Sequence, residues 1–316
     1  MAHKPRRSGG KLSIICPVYN EKEAVPRFHA RLMPVLAALD MPFEVLYVDD
    51  GSNDGSAGVL DDFHSENPAV KVIRFSRNFG HQVAITAGLD LAQGDVCVVI
   101  DTDGQDPPET IPRLLERWRE GFEVVYAVRA RREQEGVFKR ATAALFYRLM
   151  GRIARIDIPL DAGDFRLMDR RVVDVLKEMR ECHRFVRGMT SWAGFPYARV
   201  EYSRQGRLAG STHYPLVKML RFAADGITSF SHEPLRWVSF FGVAVSIASA
   251  CIGAWAFYVK LFTDRAVPGW TSMMGVILFL GGVQMMSVGV LGEYLGRIFD
   301  EVKRRPLYVI REAKGL

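Results

Sequence analysis

The chain has 316 residues, with 42 Lys or Arg against 36 Asp or Glu, which gives a formal net charge of +6. A hydrophobic content of 48% excludes a disordered tail protein. The charges are unevenly spread, because residues 238–259 and 266–292 contain none. Each of these stretches is long enough to cross a hydrocarbon core of roughly 30 Å as a helix. We therefore expect a membrane protein with a large water-exposed part.

Flanking charges predict the orientation of these two stretches. Arg236 precedes the first, and Arg297 and residues 303–305 follow the second, whereas the turn at 260–265 is less basic. Because positive residues favour the cytoplasmic side, both termini are expected in the cytoplasm, with the chain in the inner membrane as a multi-pass protein. The first ten residues are polar and basic and lack the apolar core of a secretion signal.

Short apolar runs alternate with helical patterns over the first hundred residues. The runs are residues 12–18, 43–48, 70–75 and 96–100, and the helical patterns between them are residues 21–39, 54–64 and 82–92. This alternation is typical of an α/β fold with a mostly parallel sheet and helices on both faces. A less regular half follows, with helices predicted at 109–120 and 139–153 and strands at 123–128 and near 165–168.

Residues 215–231 place apolar side chains at helical spacing with Lys218 and Arg221 between them. This pattern predicts an amphipathic helix in the membrane interface, with an ordinary surface helix as the alternative. The expected organisation is a polar tail 1–10, a cytoplasmic catalytic domain 11–214, an interfacial helix 215–235, two transmembrane helices within 236–296 (about 238–260 and 268–292), and a basic cytoplasmic tail 297–316.

Ligands of parallel sheets bind beyond the carboxyl ends of the strands, so the residues there are the candidates for chemistry. Asp101 and Asp103 follow the strand at 96–100, and alternate residues of an extended segment point the same way. Both carboxylates can then approach one divalent cation, with Gln105 as a neutral oxygen ligand. Such ligands favour Mg²⁺ or Mn²⁺, which can bridge the two phosphates of a nucleotide-sugar. A solvated turn is the alternative.

Asp49 and Asp50 follow the strand at 43–48. One of them is expected to face the crevice and accept hydrogen bonds from a nucleotide base, while the other fixes the loop; a capped turn is the alternative. No G-x-G-x-x-G follows the first strand, which disfavours a dinucleotide cofactor. Residues 206–212 lack the Lys of a phosphate loop, so ATP or GTP hydrolysis is not expected.

Four segments, in this order and followed by two apolar stretches, resemble the polyisoprenyl-phosphate glycosyltransferases: Pro17–Glu21, Val48–Ser52, Asp101–Glu109 and Gly163–Leu167. These are membrane-bound family 2 enzymes, related to dolichyl-phosphate mannose synthase and bactoprenol glucosyltransferases. The resemblance implies a Rossmann-like GT-A domain joined to interfacial helices and a two-helix transmembrane hairpin. It also implies inverting, metal-dependent transfer of one sugar to a polyprenyl phosphate such as undecaprenyl phosphate. The donor is expected to be a UDP-hexose, with GDP left open.

The resemblance also assigns roles to residues. Those at the donor base and ribose would be Pro17, Tyr19, Glu21, Val48 and Asp50. Those at the diphosphate and metal would be Asp101, Thr102, Asp103 and Gln105, with Arg129 and Arg207 at the phosphates. The family pattern has a Lys where this chain has His213, whose charge is only partial near neutral pH. Asp103 and Asp164 are expected to be catalytic, with Asp164 as an orienting group or weak base, or alternatively a structural cap.

Lys139 and Arg140 are expected to hold the acceptor phosphate, and residues 183–187 could serve likewise; a basic patch facing lipid headgroups is the alternative. His81 is expected near the donor at the start of a helix. The partners are then a nucleotide-sugar, a polyprenyl phosphate and the membrane, without nucleic acid, and self-association is left open.

A processive polysaccharide synthase and a non-catalytic scaffold that binds nucleotide-sugar or lipid are competing hypotheses. The absence of a Q-x-x-R-W motif disfavours the first, and the presence of Asp101 and Asp103 disfavours the second.

Overall fold

The computed structural model describes residues 10–129, 162–203, 233–262 and 269–316. The chain divides into two compact units, one of Met1–Pro215 with Pro306–Leu316 and the other of Leu216–Arg305. We call them the catalytic unit and the helical unit.

The catalytic unit is built on an eight-stranded sheet. Its strands are β1 (Leu12–Val18), β2 (Phe43–Asp49), β3 (Val70–Phe75), β4 (Val96–Val99), β5 (Val124–Arg129), β6 (Ala162–Asp169), β7 (Tyr197–Tyr202) and β8 (Ile310–Lys314). They lie in the order β7-β5-β6-β4-β1-β2-β3-β8. The first four strands run parallel, whereas β6 is antiparallel to β4 and β5, and β8 is antiparallel to β3. The sheet is therefore mixed, and the predicted parallel arrangement holds for its first half.

Helices follow the strands as the sequence pattern predicts. In the catalytic unit they are α1 (Ala24–Ala37), α2 (Ser56–Glu66), α3 (His81–Leu91), α4 (Ile111–Arg119, after a 3₁₀ turn at Pro108–Thr110), α5 (Arg170–Glu178) and α6 (Val186–Trp192). Every residue of β1 is buried, as expected for a strand covered on both faces. Helix α3 crosses β1 so closely that a Cβ atom at Gly88 would lie 2.3 Å from Cγ2 of Ile15. This contact packs the second half of α3 directly against the middle of β1.

The helical unit contains α7 (Glu233–Phe262) and α8 (Trp270–Lys303). Among the described residues, no helix combines the length and apolarity needed to cross a membrane. The predicted transmembrane hairpin is therefore not confirmed.

The C-terminal tail predicted at 297–316 contains a strand. Residues Ile310–Lys314 form β8, which pairs with the outer edge of β3. Three of its five residues are charged, so no apolar alternation marks it as a strand in the sequence. Backbone pairing and ion pairs hold it instead, including one between Arg74 and Glu312.

Candidate functional site

A cleft of about 290 Å³ opens at the carboxyl ends of the parallel strands. Because β1, β2 and β4 run in the same direction, the polar residues that follow them meet at one edge of the sheet. The lining residues are Pro17, Val18, Tyr19, Glu21, Asp50, Asn78, Gly80, His81, Ala84, Asp101, Thr102 and Asp103. The structure thus brings together seven residues that the sequence assigned to the donor or metal.

Asp101 has a carboxylate oxygen that the surrounding protein leaves unsatisfied. In the described part of the chain, its buried Oδ1 accepts no hydrogen bond and lies 3.5 Å from Nε2 of His81. Burial, opposed by His81 and reinforced by the carboxylates of Asp164 and Asp103, raises the pKa of Asp101 to about 6. A buried carboxylate oxygen that accepts no hydrogen bond is unfavourable, and a bound cation would satisfy it.

Thr102 joins this loop to the end of β1. Its hydroxyl lies 3.1 Å from the carbonyl oxygen of Pro17 and also contacts the carboxyl of Glu21. A hydroxyl has one proton to donate, so the Pro17 carbonyl and the Glu21 carboxylate compete for it. Burial, with the nearby carboxylates of Asp101 and Asp103, raises the pKa of Glu21 to about 7 against the Thr102 hydrogen bond.

Asp49 and Asp50 both fix loops. Asp49 accepts a hydrogen bond from the Ser52 N–H at 2.8 Å. Asp50 lines the cleft, but its two oxygens accept hydrogen bonds from the N–H groups of Phe79 at 2.6 Å and Gly80 at 2.9 Å. Its carboxylate therefore holds the loop after β3 in place at the cleft wall.

Asp164 lies in β6 within a cluster of cations. Its Oδ1 is 2.7 Å from Nη2 of Arg166 and 3.5 Å from Nη2 of Arg187. Its Oδ2 lies 3.4 Å from Nε2 of His81. Burial alone raises the pKa of Asp164, but the His81 hydrogen bond and the two guanidinium groups hold it well below its usual range. The carboxylate is therefore ionised at neutral pH and is a poor proton acceptor.

His81 lies between the carboxylates of Asp101 and Asp164. Its Nε2 lies within 3.5 Å of an oxygen of Asp101 and of Asp164. Burial lowers its pKa, but Asp164, Asp101 and Glu21 together raise it above the ordinary 6.5. The sequence placed His81 near the donor but did not predict this bridge, because Asp101 follows β4 whereas Asp164 lies in β6. The contact between Arg166 and Asp164 could have been predicted from the sequence, because the two residues are two apart in a strand and therefore share a face.

The other predicted residues differ in how they relate to the cleft. Tyr19 has a 47% exposed side chain at its rim, whereas Val48 is fully buried in β2. Gln105 is 5% exposed, and its backbone N–H donates to Oδ1 of Asp103 at 3.0 Å. Arg129 ends β5, where a hydrogen bond with Tyr202 raises its pKa against the effect of burial. Four predicted cations lie outside the described residues: Lys139, Arg140, Arg207 and His213.

The described residues contain no group of three or more His, Cys, Asp or Glu side chains arranged to hold a metal ion. The two carboxylates of Asp101 and Asp103 nevertheless lie together in the cleft. Two carboxylates suit a cation whose other ligands are water and phosphate oxygens, which is how Mg²⁺ usually binds in proteins. The unsatisfied oxygen of Asp101 fits such an ion.

Comparison with known proteins identifies the family. Residues 13–176 match the model of glycosyl transferase family 2, which covers more than half of the chain. This chain belongs to glycosyl transferase family 2. Residues 233–298 match the model of the GtrB C-terminal hairpin. The resemblance predicted from four sequence segments is confirmed, and the mixed α/β sheet is that of the GT-A fold.

Relatives aligned over nearly the full chain support its assignment to glycosyl transferase family 2. The uncharacterized glycosyltransferase YkcC of Bacillus subtilis (strain 168) is 50% identical over 304 residues, covering 96% of this chain and 94% of that protein. The bactoprenol glucosyl transferase of Shigella phage SfII is 41% identical over 303 residues, covering 96% and 98%. Among solved structures, mannosyl-3-phosphoglycerate synthase from Rubrobacter xylanophilus has a TM-score of 0.47 at 18% identity, covering 82% of this chain and 78% of that one.

Proposed function

We propose that this family 2 glycosyltransferase transfers one sugar from a nucleoside-diphosphate sugar to a polyprenyl phosphate. The main observation behind the proposal is that Nε2 of His81 lies within 3.5 Å of carboxylate oxygens of both Asp101 and Asp164, beside the cleft that Asp103 lines. Relatives named bactoprenol glucosyl transferase, aligned over nearly the full chain, support a polyprenyl phosphate acceptor.

The charge of the cleft supports a divalent cation. Four carboxyl groups line it, so an anionic diphosphate would meet electrostatic repulsion there: Glu21, Asp50, Asp101 and Asp103. Asp101 and Asp103 would hold Mg²⁺ or Mn²⁺, and the N–H of Gln105 orients Asp103. The bound ion would neutralise charge on the departing diphosphate.

Asp164 orients groups at the reacting centre. A phosphate monoester has a second pKa near 6, so the acceptor is largely a dianion at neutral pH and needs no strong base. Asp164 suits this chemistry because Arg166, Arg187 and His81 keep it ionised. Direct attack of the acceptor oxygen on the anomeric carbon, with inversion, then requires positioning of the two substrates rather than proton removal.

The donor is proposed to be a UDP-hexose. The exposed ring of Tyr19 at the rim offers an apolar face to a base, which either uracil or guanine can use. The name of the phage relative, a glucosyl transferase, favours glucose as the first sugar to test.

We place the reaction at the cytoplasmic face of the inner membrane. The two uncharged stretches, the basic residues around them and the match to the GtrB C-terminal hairpin support this location.

The test is a transfer assay with the full chain in detergent micelles. Undecaprenyl phosphate, Mg²⁺ or Mn²⁺ and one radiolabelled nucleotide-sugar at a time are supplied, beginning with UDP-glucose and including GDP-mannose. We expect one label per lipid, released by mild acid. A polymeric product would indicate a processive synthase, and no lipid-linked label with any donor would contradict the proposal.

A further inference from the structure

The loop of residues 76–80 forms one wall of the cleft, through Asn78 and Gly80. From the side of β2, Asp50 binds its backbone N–H groups, as described above. Gly51 also abuts it, because a Cβ atom at residue 51 would lie 2.6 Å from the carbonyl carbon of Arg77. The loop is thus fixed on one side by the end of β2.

On its other side, the loop meets a column of three aromatic rings. The ring of Phe79 packs edge-on against Phe75, with centroids 5.6 Å apart. Phe75 in turn stacks on Tyr308, with centroids 5.3 Å apart and planes inclined by 15°. We call Tyr308, Phe75 and Phe79 the aromatic column; it joins the C-terminal segment to the cleft wall.

Tyr308 is held by Asp90 of α3, and the residues that follow it bind Ser76, the first residue of the loop, and β3. Its hydroxyl donates to Oδ2 of Asp90 at 2.9 Å. The next residue, Val309, accepts a hydrogen bond from the Ser76 N–H at 3.0 Å, and β8 then pairs with β3. At the far end of β8, Nζ of Lys314 lies 2.8 Å from Oδ1 of Asp61. The segment can therefore act as a fixed support for Phe79.

We propose that Tyr308 is a positioning residue for donor binding, acting through Phe75 and Phe79 on the loop that walls the cleft. The inference rests on the proposed function, since it takes the cleft to be the donor site. Tyr308 reaches the loop through the ring of Phe75 and lies outside the set of cleft-lining residues, so it acts on the site only through other side chains. Removing it takes away the aromatic support of Phe79, while Asp50 and the Ser76–Val309 backbone hydrogen bond remain.

The experiment compares four single variants, and the double variant that combines Tyr308→Ala with Phe79→Leu, with wild type. Tyr308→Ala removes the ring, Tyr308→Phe keeps it but loses the bond to Asp90, and Phe79→Leu breaks the column without touching β8. Lys314→Ala is the matched control, because it removes an ion pair from the far end of the same segment. Donor KM and kcat are measured with UDP-glucose and undecaprenyl phosphate, and hydrogen exchange of residues 76–81 is measured on the protein without substrates.

Tyr308→Ala and Phe79→Leu should each raise the donor KM by about threefold to tenfold, the range expected for an aromatic contact, and leave kcat within about twofold. Both should speed exchange of the Phe79 and Gly80 amides. The double variant should be no worse than the worse single one, because both break the same column. Lys314→Ala should match wild type, and Tyr308→Phe, which keeps the ring but loses the bond to Asp90, should fall between wild type and Tyr308→Ala.

Unchanged donor KM and unchanged exchange in Tyr308→Ala would overturn the proposal, and so would a fall in kcat alone. If Tyr308→Ala does not fold, Phe79→Leu decides in the same way. If the proposed function is wrong, the result is different, because wild type would then transfer no sugar. The exchange measurement needs no substrate and still reports on the column in that case.

Discussion

At the scale of single residues, Asp50, Asp101 and Asp164 share one site but differ in their partners. Backbone N–H groups hold Asp50, guanidinium groups hold Asp164, and Oδ1 of Asp101 accepts no hydrogen bond within the described residues. Hydrogen bonds and positive charges stabilise an ionised carboxylate, whereas burial without them destabilises it. The loop fixing by Asp50 and the proposed roles of Asp164 in substrate orientation and of Asp101 in cation binding can therefore be tested separately by substitution.

The first prediction concerns the cation. Asp103→Ala should lower transfer by at least about a hundredfold without shifting thermal unfolding, because it removes charge stabilisation of the departing diphosphate. EDTA should abolish wild-type transfer, and Mg²⁺ or Mn²⁺ should restore it. Asp62→Ala, at an exposed position on α2, serves as control and should be fully active. Full activity of Asp103→Ala in EDTA would contradict the assignment.

The second prediction separates orientation from base catalysis. Asp164→Asn should lower kcat by about tenfold to a hundredfold, because misplaced substrates react more slowly. Since the pKa of Asp164 lies far below neutrality, its titration should not shape the wild-type rate between pH 5 and 8. Any acidic limb of the wild-type log(kcat) profile should therefore persist in the variant, displaced to lower pH because Asp164 raises the pKa of His81 and Asp101.

A profile that loses its acidic limb in Asp164→Asn would instead identify Asp164 as the titrating base. Asp174→Asn is the control, because Asp174 is exposed and pairs with Arg170 at 3.8 Å on the surface of α5. It should leave both kcat and thermal unfolding unchanged.

The third prediction concerns Gly51, which combines a positive φ of 74° with close contact to the backbone of Arg77. Gly51→Ala should destabilise the protein by about 3 kcal/mol, because a left-handed backbone and a steric clash add together. Gly55→Ala is the matched control: its φ is 93°, but the nearest atom is the flexible end of Lys22 at 3.4 Å. It should lose about 1 kcal/mol, as backbone strain alone requires. Equal losses in thermal or urea unfolding would show that the contact with Arg77 is unimportant.

At the scale of elements, the starts of the first three strands are tied together at the end of the sheet opposite the cleft. Glu44 in β2 lies 2.6 Å from Nζ of Lys11 and 2.9 Å from Nζ of Lys71 in β3. Burial alone raises the pKa of Glu44, but four partners lower it to about 2: Lys11, Ser13, the N–H of Gln93, and Lys71. Glu44 therefore stabilises the sheet as a carboxylate.

This arrangement gives the fourth prediction, on stability against pH. A carboxyl with an ordinary pKa of 4.5, lowered to about 2 on folding, contributes stability above pH 4.5 and loses it as the pH falls towards 2. Glu44→Gln should therefore be less stable by about 3 kcal/mol at pH 7, and the gap should narrow below pH 4.5. Glu120→Gln, which breaks an exposed pair with Arg117, should change stability by at most about 0.5 kcal/mol. A gap that is constant from pH 7 to 3 would contradict this account.

Elements with strong local patterns could be predicted from the sequence. β1 and β3 have the predicted bounds, β1 because it is a nearly continuous apolar run and β3 because its buried Val and Ile residues flank two charged ones, Lys71 and Arg74. β8 could not be predicted, since its pairing with β3 depends on chain segments more than 200 residues apart. The same holds in the site: the Asp101–Asp103 pair is local, whereas the His81 bridge to Asp164 forms only when β4 and β6 become neighbours.

At the scale of the whole molecule, the helical unit is an insertion in the sequence of the catalytic unit. Residues up to Pro215 and residues from Pro306 belong to the same compact unit, and β8 completes its sheet. If residues 216–305 enter a bilayer, both of their ends must therefore lie on the same side of it, and the number of crossings must be even. The two crossings expected from the uncharged stretches meet this condition.

The fifth prediction tests this topology with single cysteines at 66, 264 and 316. Cys182 and the exposed Cys251 are first replaced by Ser, while the buried Cys16 and Cys97 stay unreactive. In intact cells, a membrane-impermeant maleimide should label position 264, in the turn predicted outside, and neither of the others. Glu66 and Leu316 are both exposed in the catalytic unit, so positions 66 and 316 should react equally once the cells are opened. Labelling of 66 and 316 but not 264 in intact cells would reverse the orientation set by the basic residues, and different labelling of 66 and 316 would separate β8 from the catalytic unit.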